Sequence, residues 1–386
     1  MAAMSVAWVH GTRERYMLFF TLLVTHLGTS ILYYWYVQTA PADTSLYYQE
    51  AEVFRRWDFA LGTAFLGKLV LFLRDTIGGS YLDYFLLFQS FGFWGLIFLM
   101  RTFEEIHLEL GMRQTTVSLW LLFLPGLHFW TSAIGKDAPL FLGVSLAVWS
   151  VMRLRSRYLA FAIAVAIMLL FRPHIALIAV GGLAIAQMFE PRSNLLAKIG
   201  LLAVAAVAVG VIAGTLKSAI DVNLSGGAGA LEAVVSKRDM MAQSTGSASL
   251  SSAPYPVRVL SFLFRPLFFD AKGVFGIIAS LENVFVLFAV GYLVTYLRQA
   301  MYLARNVYFL RYCLIVAGLL TLLLSFVFYN VGLALRQKMM LMPTLLTFFV
   351  AHFALRKRWR EEMKLARIAE RREEAANASP ASPDFA

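Results

Sequence analysis

The ionisable residues that interrupt the apolar parts of this chain are its best candidates for chemistry. A carboxylate can accept the proton of an attacking hydroxyl, and Arg or Lys side chains bind phosphate oxygens. Ionisable groups near or inside a bilayer are costly, so each one is a functional candidate. They occur in short groups: Asp43, Lys136-Asp137, Arg172-Pro-His174, Arg265 with Asp270, and Arg336-Gln-Lys338.

The elements that must position these groups are predicted to be transmembrane helices. The chain has 386 residues, of which 60% are hydrophobic and 15% charged, and its mean hydropathy is +0.69. A bilayer core needs about 20 apolar residues per helix, and the pattern predicts an all-α, polytopic bundle of about ten spans. The predicted spans are 16–36, 80–101, 115–133, 138–153, 157–171, 174–189, 198–216, 274–297, 308–329 and 339–355.

The distribution of Lys and Arg predicts the orientation of these spans. Basic residues concentrate in the segments that share a side with both termini, such as Arg153, Arg155 and Arg157. The positive-inside rule therefore predicts cytoplasmic termini in a bacterial inner membrane, and it puts the candidate groups on the outward face. The net charge of +11 is typical of such a membrane protein, whose basic residues meet lipid phosphates rather than nucleic acid.

Residues 1–355 are predicted to form the transmembrane domain, with large outward loops at 37–79 and 217–272. The first loop contains an amphipathic stretch with Leu46, Val53 and Trp57 on one helical face, flanked by Tyr47, Ala51 and Phe54. A second interfacial or re-entrant helix is expected over 59–73. The second loop opens rich in Gly and Ser and reads as flexible. Residues 356–386 are predicted to be a basic cytoplasmic helix with a disordered end. The first apolar stretch has no cleavage site after it, and the single Cys313 forms no disulfide framework.

Each candidate also has a structural interpretation. Asp43 can cap the helix that follows it. Asp137 can do the same, with Lys136 as its ion-pair partner. Glu282 lies inside a predicted span and is expected to pair internally, while His107 and His128 show no spacing typical of a transition-metal site. Four further residues can be interface anchors: Arg172, His174, Arg336 and Lys338.

Several segments resemble the GT-C superfamily of polytopic membrane glycosyltransferases. PADTSLYYQEAEVF is similar to that family's first outward loop, where an acidic residue follows the first span. TSAIGKDAPLFLGVSLAVW resembles its second outward turn, and RLRSRYLAFAIAVAIMLLFRPHIAL resembles the next pair of spans. The likeness covers roughly residues 10 to 190. FLFRPLFFDAKG and NVGLALRQKMMLMP also look like segments of uncharacterised membrane proteins from bacterial exopolysaccharide clusters.

The resemblance implies transfer of a sugar from a polyprenyl-phosphate-linked donor to a glycan or lipid-linked acceptor. The acid of the first loop, matched by Asp43, serves as the catalytic base or orients the acceptor. The acid of the second loop, matched by Asp137, supports the same site, in some members through a divalent cation. Cations of later loops bind the phosphate, and Arg172, Arg336 and Lys338 are the matching positions. The other candidates for substrate binding are Lys136, His174 and Arg265.

Other functions remain open from the sequence. A Wzy-type polysaccharide polymerase or ligase works on related polyprenyl-diphosphate sugars, and the basic residues of loop 217–272 fit it. A transporter or flippase would show charged groups in mid-span, broken helices and repeat symmetry; mid-span charges are few, and no internal repeat is visible. A scaffold of a secretion complex is the third alternative.

Overall fold

A computed structural model of the chain describes residues 13–39, 43–56, 58, 61–190, 253–271, 273–328 and 330–378, with isolated positions at 199, 200, 203, 206 and 240. Within these ranges every regular element is a helix, which confirms the predicted all-α class. The predicted span 198–216 and most of the loop 217–272 lie outside the described residues, as does the end of the C-terminal tail.

We number the fifteen described α-helices in chain order; a single 3₁₀ turn, Ala51–Arg55, lies between the second and third. They are α1 Arg13–Val37, α2 Asp43–Tyr48, α3 Thr63–Ile77, α4 Tyr81–Glu109, α5 Thr116–Leu121, α6 Pro125–Phe129, α7 Asp137–Met152, α8 Leu154–Phe171, α9 Pro173–Met188, α10 Tyr255–Phe264, α11 Gly273–Thr295, α12 Leu297–Asn306, α13 Tyr308–Val327, α14 Val331–Lys338 and α15 Met342–Ala378.

Among the described helices, α1, α4, α8, α11 and α13 are long and apolar enough to cross a membrane. The pair α14 and α15, bent by 59° at the break between them, would make a sixth span. The predicted spans 138–153 and 174–189 are helices α7 and α9 of 16 residues each, which is short for a perpendicular crossing of a bilayer.

The centre of the bundle is built from α4, α7 and α8. Helix α4 begins with a capping box, in which the Ser80 N–H donates to the Asp83 carboxylate at 2.7 Å and the Asp83 N–H donates to the Ser80 hydroxyl at 3.3 Å. These bonds satisfy two backbone donors that a helix start leaves without partners. Helix α7 is buried along almost its whole length. Gly143 lets α8 approach closely, because a Cβ there would lie 2.8 Å from Met168.

Two predicted spans are not single helices with the predicted bounds. The stretch 115–133 forms α5 and α6 instead of one span, and Pro125 starts α6 at a position where its missing N–H costs nothing. The predicted span 339–355 begins at Met342 and continues as helix to Ala378. Short, broken helices of this kind are tolerated at membrane depth where protein or a cavity surrounds them.

The amphipathic stretch of the first outward loop forms α2 and the 3₁₀ turn. Its buried residues include Tyr47 and Phe54, at 3% and 0% exposure, which flank the predicted face, whereas Val53 is 43% exposed. The two rings stack with centroids 6.0 Å apart. The turn after Tyr48 breaks the helical phase, so the stretch is not one continuous helix.

Candidate functional site

Four of the predicted site residues form one chain of ion pairs. Arg336 donates from Nη1 to Asp43 Oδ2 at 2.5 Å and from Nε to Asp137 Oδ2. Arg172 donates from Nη2 to Asp137 Oδ1 at 3.3 Å. Residues from four distant parts of the sequence thus alternate in charge as Asp43, Arg336, Asp137 and Arg172, and we call them the ion-pair cluster.

The local structure explains how each side chain reaches the ion-pair cluster. Asp43 and Asp137 are the first residues of α2 and α7, where the partial positive charge of a helix start favours a carboxylate. Arg172 lies between α8 and α9 with φ −150° and ψ 89°, because the following Pro173 disfavours helical geometry at that position. Arg336 comes from α14, whose start Asn330 caps by accepting from the Leu333 N–H at 2.7 Å.

Burial differs sharply along the ion-pair cluster. The side chain of Asp137 is 5% exposed and that of Arg172 10% exposed, whereas Arg336 is 20% and Asp43 59% exposed. Asp137 is therefore enclosed between two guanidinium groups. Asp43 stands at the open end, where a substrate can reach its carboxylate.

Lys136 adds a positive charge beside the ion-pair cluster. Its Nζ donates to Thr63 Oγ1 at 2.9 Å. Burial, and next the positive charge of Arg172, lower the pKa of Lys136 from 10.5 to about 8. With two carboxylates, two guanidinium groups and one ammonium, the site carries an excess positive charge at neutral pH. Such an excess suits an anionic ligand, and guanidinium and ammonium groups are common phosphate binders.

Sequence reasoning missed Tyr33 as a member of this region. Its hydroxyl is close enough to Asp43, Asp137 and Arg336 for electrostatic interaction with all three, and its ring stacks on Phe129 with centroids 4.3 Å apart. Tyr47 faces the same charges, and burial raises the pKa of its phenol. The available signal was the position of Tyr33 in the last turns of the first span, just before Asp43.

The remaining predicted residues occupy other positions. His174 lies close enough to Arg172 and Lys136 to interact with their charges. Arg265 pairs with Asp270 at 2.5 Å. Lys338 is 1% exposed and its Nζ donates to Asn283 Oδ1 at 2.6 Å. Lys338 and Arg336 therefore do not act on one phosphate from the same side.

A cavity of about 990 Å³ lies among α1, α6, α11, α14 and the segment that precedes α11. Phe129 forms part of its wall and also carries the Tyr33 ring, while Leu335 of the wall precedes Arg336, so the cavity adjoins the ion-pair cluster. Glu282 lines it and accepts from the Gly126 N–H at 2.6 Å, the internal pairing expected from the sequence. The other aromatic and ionisable lining residues are Phe123, His128, Trp130, Arg265, Asp270 and Phe275.

The geometry of the ion-pair cluster does not suit a divalent cation shared by the two acids. The Arg336 guanidinium lies between Asp43 and Asp137 and donates to both carboxylates, so it holds the place that such a cation would need. Among the described residues, no group of three or more His, Cys, Asp or Glu side chains is arranged to hold a metal ion.

Comparison of the chain with protein-family models, with curated proteins and with solved structures finds no match. The ion-pair cluster and the cavity beside it are therefore the features of the chain from which its function can be inferred.

Proposed function

We propose that the protein is a membrane glycosyltransferase that uses a polyprenyl-phosphate-linked sugar at the outward face, in the assembly of a surface or exopolysaccharide. The observation that carries the proposal is the exposed Asp43 carboxylate, held by Arg336 at the open end of a positively charged cluster. A base beside cations is what glycosyl transfer from a phosphate requires, since a proton is removed while negative charge develops on the leaving group.

In the proposed step, the Asp43 carboxylate accepts the proton of an acceptor hydroxyl. The acceptor oxygen bonds to the anomeric carbon, and the bond between that carbon and the phosphate oxygen breaks with its electron pair on the phosphate. Lys136 and Arg336 stabilise the charge that develops there. Asp137 is too enclosed to touch a substrate, at 5% side-chain exposure, so we assign it a positioning role for Arg172 and Arg336.

The cavity offers room for the rest of the substrates. Its wall combines Phe129, Trp130 and Phe275 with a few ionisable groups, a composition typical of ligand pockets. The proposal includes a bundle of about ten spans in a bacterial inner membrane with cytoplasmic termini. Six membrane-length spans, with the bent pair counted as one, would make ten together with the short apolar helices Thr116–Phe129, Asp137–Met152 and Pro173–Met188 and the predicted span 198–216.

The test uses the full chain reconstituted in lipid nanodiscs with a panel of radiolabelled polyprenyl-phosphate hexoses and pentoses. We expect one donor to release polyprenyl phosphate and to pass a single sugar to an acceptor. Asp43→Asn should abolish this activity, while Asp75→Asn, which also removes an exposed carboxylate paired with an arginine, should retain it. Addition of whole repeat units would identify a polymerase instead, and equal activity of Asp43→Asn and the wild type would contradict the role of Asp43.

A flippase is the second candidate, and the interrupted helices favour it. Helix α6, which follows the break after α5, and helix α14 of the bent pair α14 and α15 border the cavity that Glu282 lines. Broken helices around an ionisable group are typical of transporters. Proteoliposomes with a fluorescent polyprenyl-phosphate analogue distinguish the two functions. Translocation that survives Asp43→Asn and is lost in Glu282→Gln would favour the flippase and contradict the transferase.

A further inference from the structure

A second concave surface is formed by described residues outside the ion-pair cluster. It is a groove of about 550 Å³ between Gln299 of α12 and the C-terminal half of α15. Helix α15 is packed in the bundle up to Ala354, which is fully buried, and every residue from 359 to 371 is exposed. The groove thus begins where the apolar part of α15 ends.

Five cations of α15 line the groove, and we call them the basic stripe: Arg356, Arg360, Lys364, Arg367 and Arg371. At 3.6 residues per turn, the angular positions of these five side chains around the helix axis fall within an arc of about 80°. The basic stripe is roughly 22 Å long. Between Arg356 and Arg367 the only acidic residues of α15 are Glu361 and Glu362, and both lie outside this arc. One side of a single helix therefore carries a row of unneutralised positive charge.

The ion pairs of α15 lie on its other faces. Lys357 pairs with Glu361 at 3.9 Å and Arg358 with Glu362 at 2.7 Å. In the part of the chain that the structure describes, no carboxylate lies within 4.0 Å of a cation of the basic stripe. Glu361 and Glu362 are thus used by cations outside the groove, and the cations of the basic stripe remain available for an external anion.

The inner end of the groove is built around Arg356. Its guanidinium lies over the ring of Tyr296, 3.1 Å from the centroid, and its Nη1 donates to Gln299 Oε1 at 2.8 Å. Its Nε is buried and has no hydrogen-bond acceptor among the described residues. A buried donor without an acceptor is costly, and an oxygen of a bound anion would relieve that cost.

Apolar side chains accompany the cations. Trp359 and Met363 line the groove at 37% and 59% exposure, and Ile368 lines it at 39%. On the opposite side, α12 buries Ala300 and Leu303 and leaves Tyr302 57% exposed. A soluble anion would use only the cations, whereas a lipid would use both the cations and the apolar side chains.

We propose that this groove binds the phosphodiester headgroup of an anionic membrane lipid, with Arg356, Arg360 and Lys364 on the phosphate and Trp359 and Met363 against the upper acyl chain. Clusters of Lys and Arg directly after a membrane helix attract anionic lipid, and arginine forks bind phosphate oxygens in pairs. The inference is independent of the proposed transferase activity.

The test measures lipid binding by native mass spectrometry of the full-length protein in detergent, with phosphatidylglycerol, phosphatidylcholine and inorganic phosphate as separate probes. We expect phosphatidylglycerol to bind at least tenfold more tightly than phosphatidylcholine, on the order expected for a few cations near an anionic lipid. The variant Arg360→Gln/Lys364→Gln should lose about tenfold in affinity for phosphatidylglycerol. The control variant Lys357→Gln/Arg358→Gln also removes two positive charges, but outside the groove, and should change the affinity for phosphatidylglycerol by less than about twofold.

Three outcomes would overturn the proposal. They are equal affinity for the two lipids, equal losses in the two double variants, and displacement of phosphatidylglycerol by inorganic phosphate at a similar concentration, which would mean a site for free phosphate. Stripe-dependent binding of polyglutamate without binding of phosphatidylglycerol would assign the groove to an acidic protein. If the double variant is not monodisperse, the single variant Lys364→Gln at an exposed position replaces it, with Lys357→Gln as its control.

Discussion

Asp43 and Asp137 share the same arginine, and their different burial predicts effects of different size for the same substitution. Asp137→Asn removes the only negative charge between Arg172 and Arg336 in the described cluster, at a side chain 5% exposed. Breaking a buried pair by removing one partner costs about 3–5 kcal/mol. Asp43→Asn acts at a side chain 59% exposed, where an ion pair is worth at most about 1 kcal/mol.

These energies translate into a measurable difference in thermal unfolding. At about 2 °C per kcal/mol, the lower end for large domains, Asp137→Asn should lower the apparent melting temperature by about 6 °C or more. Asp43→Asn should lower it by less than about 2 °C. Intrinsic fluorescence of the purified protein in one detergent measures both. Transfer activity should be lost in both variants, but only Asp137→Asn should also lower the amount of folded protein in the membrane.

A double variant checks the reason for this expectation. Asp137→Asn leaves the guanidinium groups of Arg172 and Arg336 without the carboxylate between them, and adding Arg172→Met removes one of these two groups. Replacing a buried ion pair by uncharged residues often has little effect on stability. We therefore expect the double variant to recover at least about 1 kcal/mol, a coupling typical of residues in direct contact. A double variant less stable than Asp137→Asn, or a loss for Asp43→Asn as large as for Asp137→Asn, would refute the electrostatic reasoning.

Three further predictions follow from the same region and from the orientation. Arg336→Lys should reduce transfer about a hundredfold at unchanged protein level, because one ammonium group cannot bridge Asp43 and Asp137 as the guanidinium does; wild-type rates would contradict this. Burial lowers the pKa of Lys136 from 10.5 to about 8, so KM for the phosphate donor should rise above about pH 8 and Lys136→Arg should remove that rise. Between these two pKa values the unfolded state binds more protons, so Lys136 makes folding more favourable as the pH increases. If the orientation is as predicted, membrane-impermeant maleimide should label Gln49→Cys from outside and Leu365→Cys only after permeabilisation. The native Cys313 is 0% exposed and should not react. Labelling on the reverse sides would refute the orientation.

Much of the helical architecture could be predicted from local composition. The spans 16–36, 274–297 and 308–329 correspond to α1, α11 and α13 within a few residues, and the span 80–101 corresponds to α4, which continues eight residues further to Glu109. About 20 apolar residues in a row have few alternatives to a membrane helix. The breaks in 115–133 and before 339–355 were not predicted. Apolar runs look alike whether they are straight or interrupted, and packing around a cavity decides between the two.

The site was predictable as a set of residues but not as a geometry. Unusual charge in an apolar chain identified Asp43, Asp137, Arg172 and Arg336, and these four meet in one cluster. Lys338 was expected beside Arg336, yet it points to Asn283, since residues two apart in a helix face different directions.

Sequence alone determined that this chain is a helical protein rich in membrane-length apolar segments with a few costly charges, because hydropathy and charge are properties of residues taken singly or in short runs. Only the tertiary structure decided which charges neutralise one another, which carboxylate is enclosed and which is open, and that a row of cations on α15 has no acidic partner among the described residues. Burial and pairing depend on contacts between residues as far apart as Asp43 and Arg336, and no local pattern records those contacts.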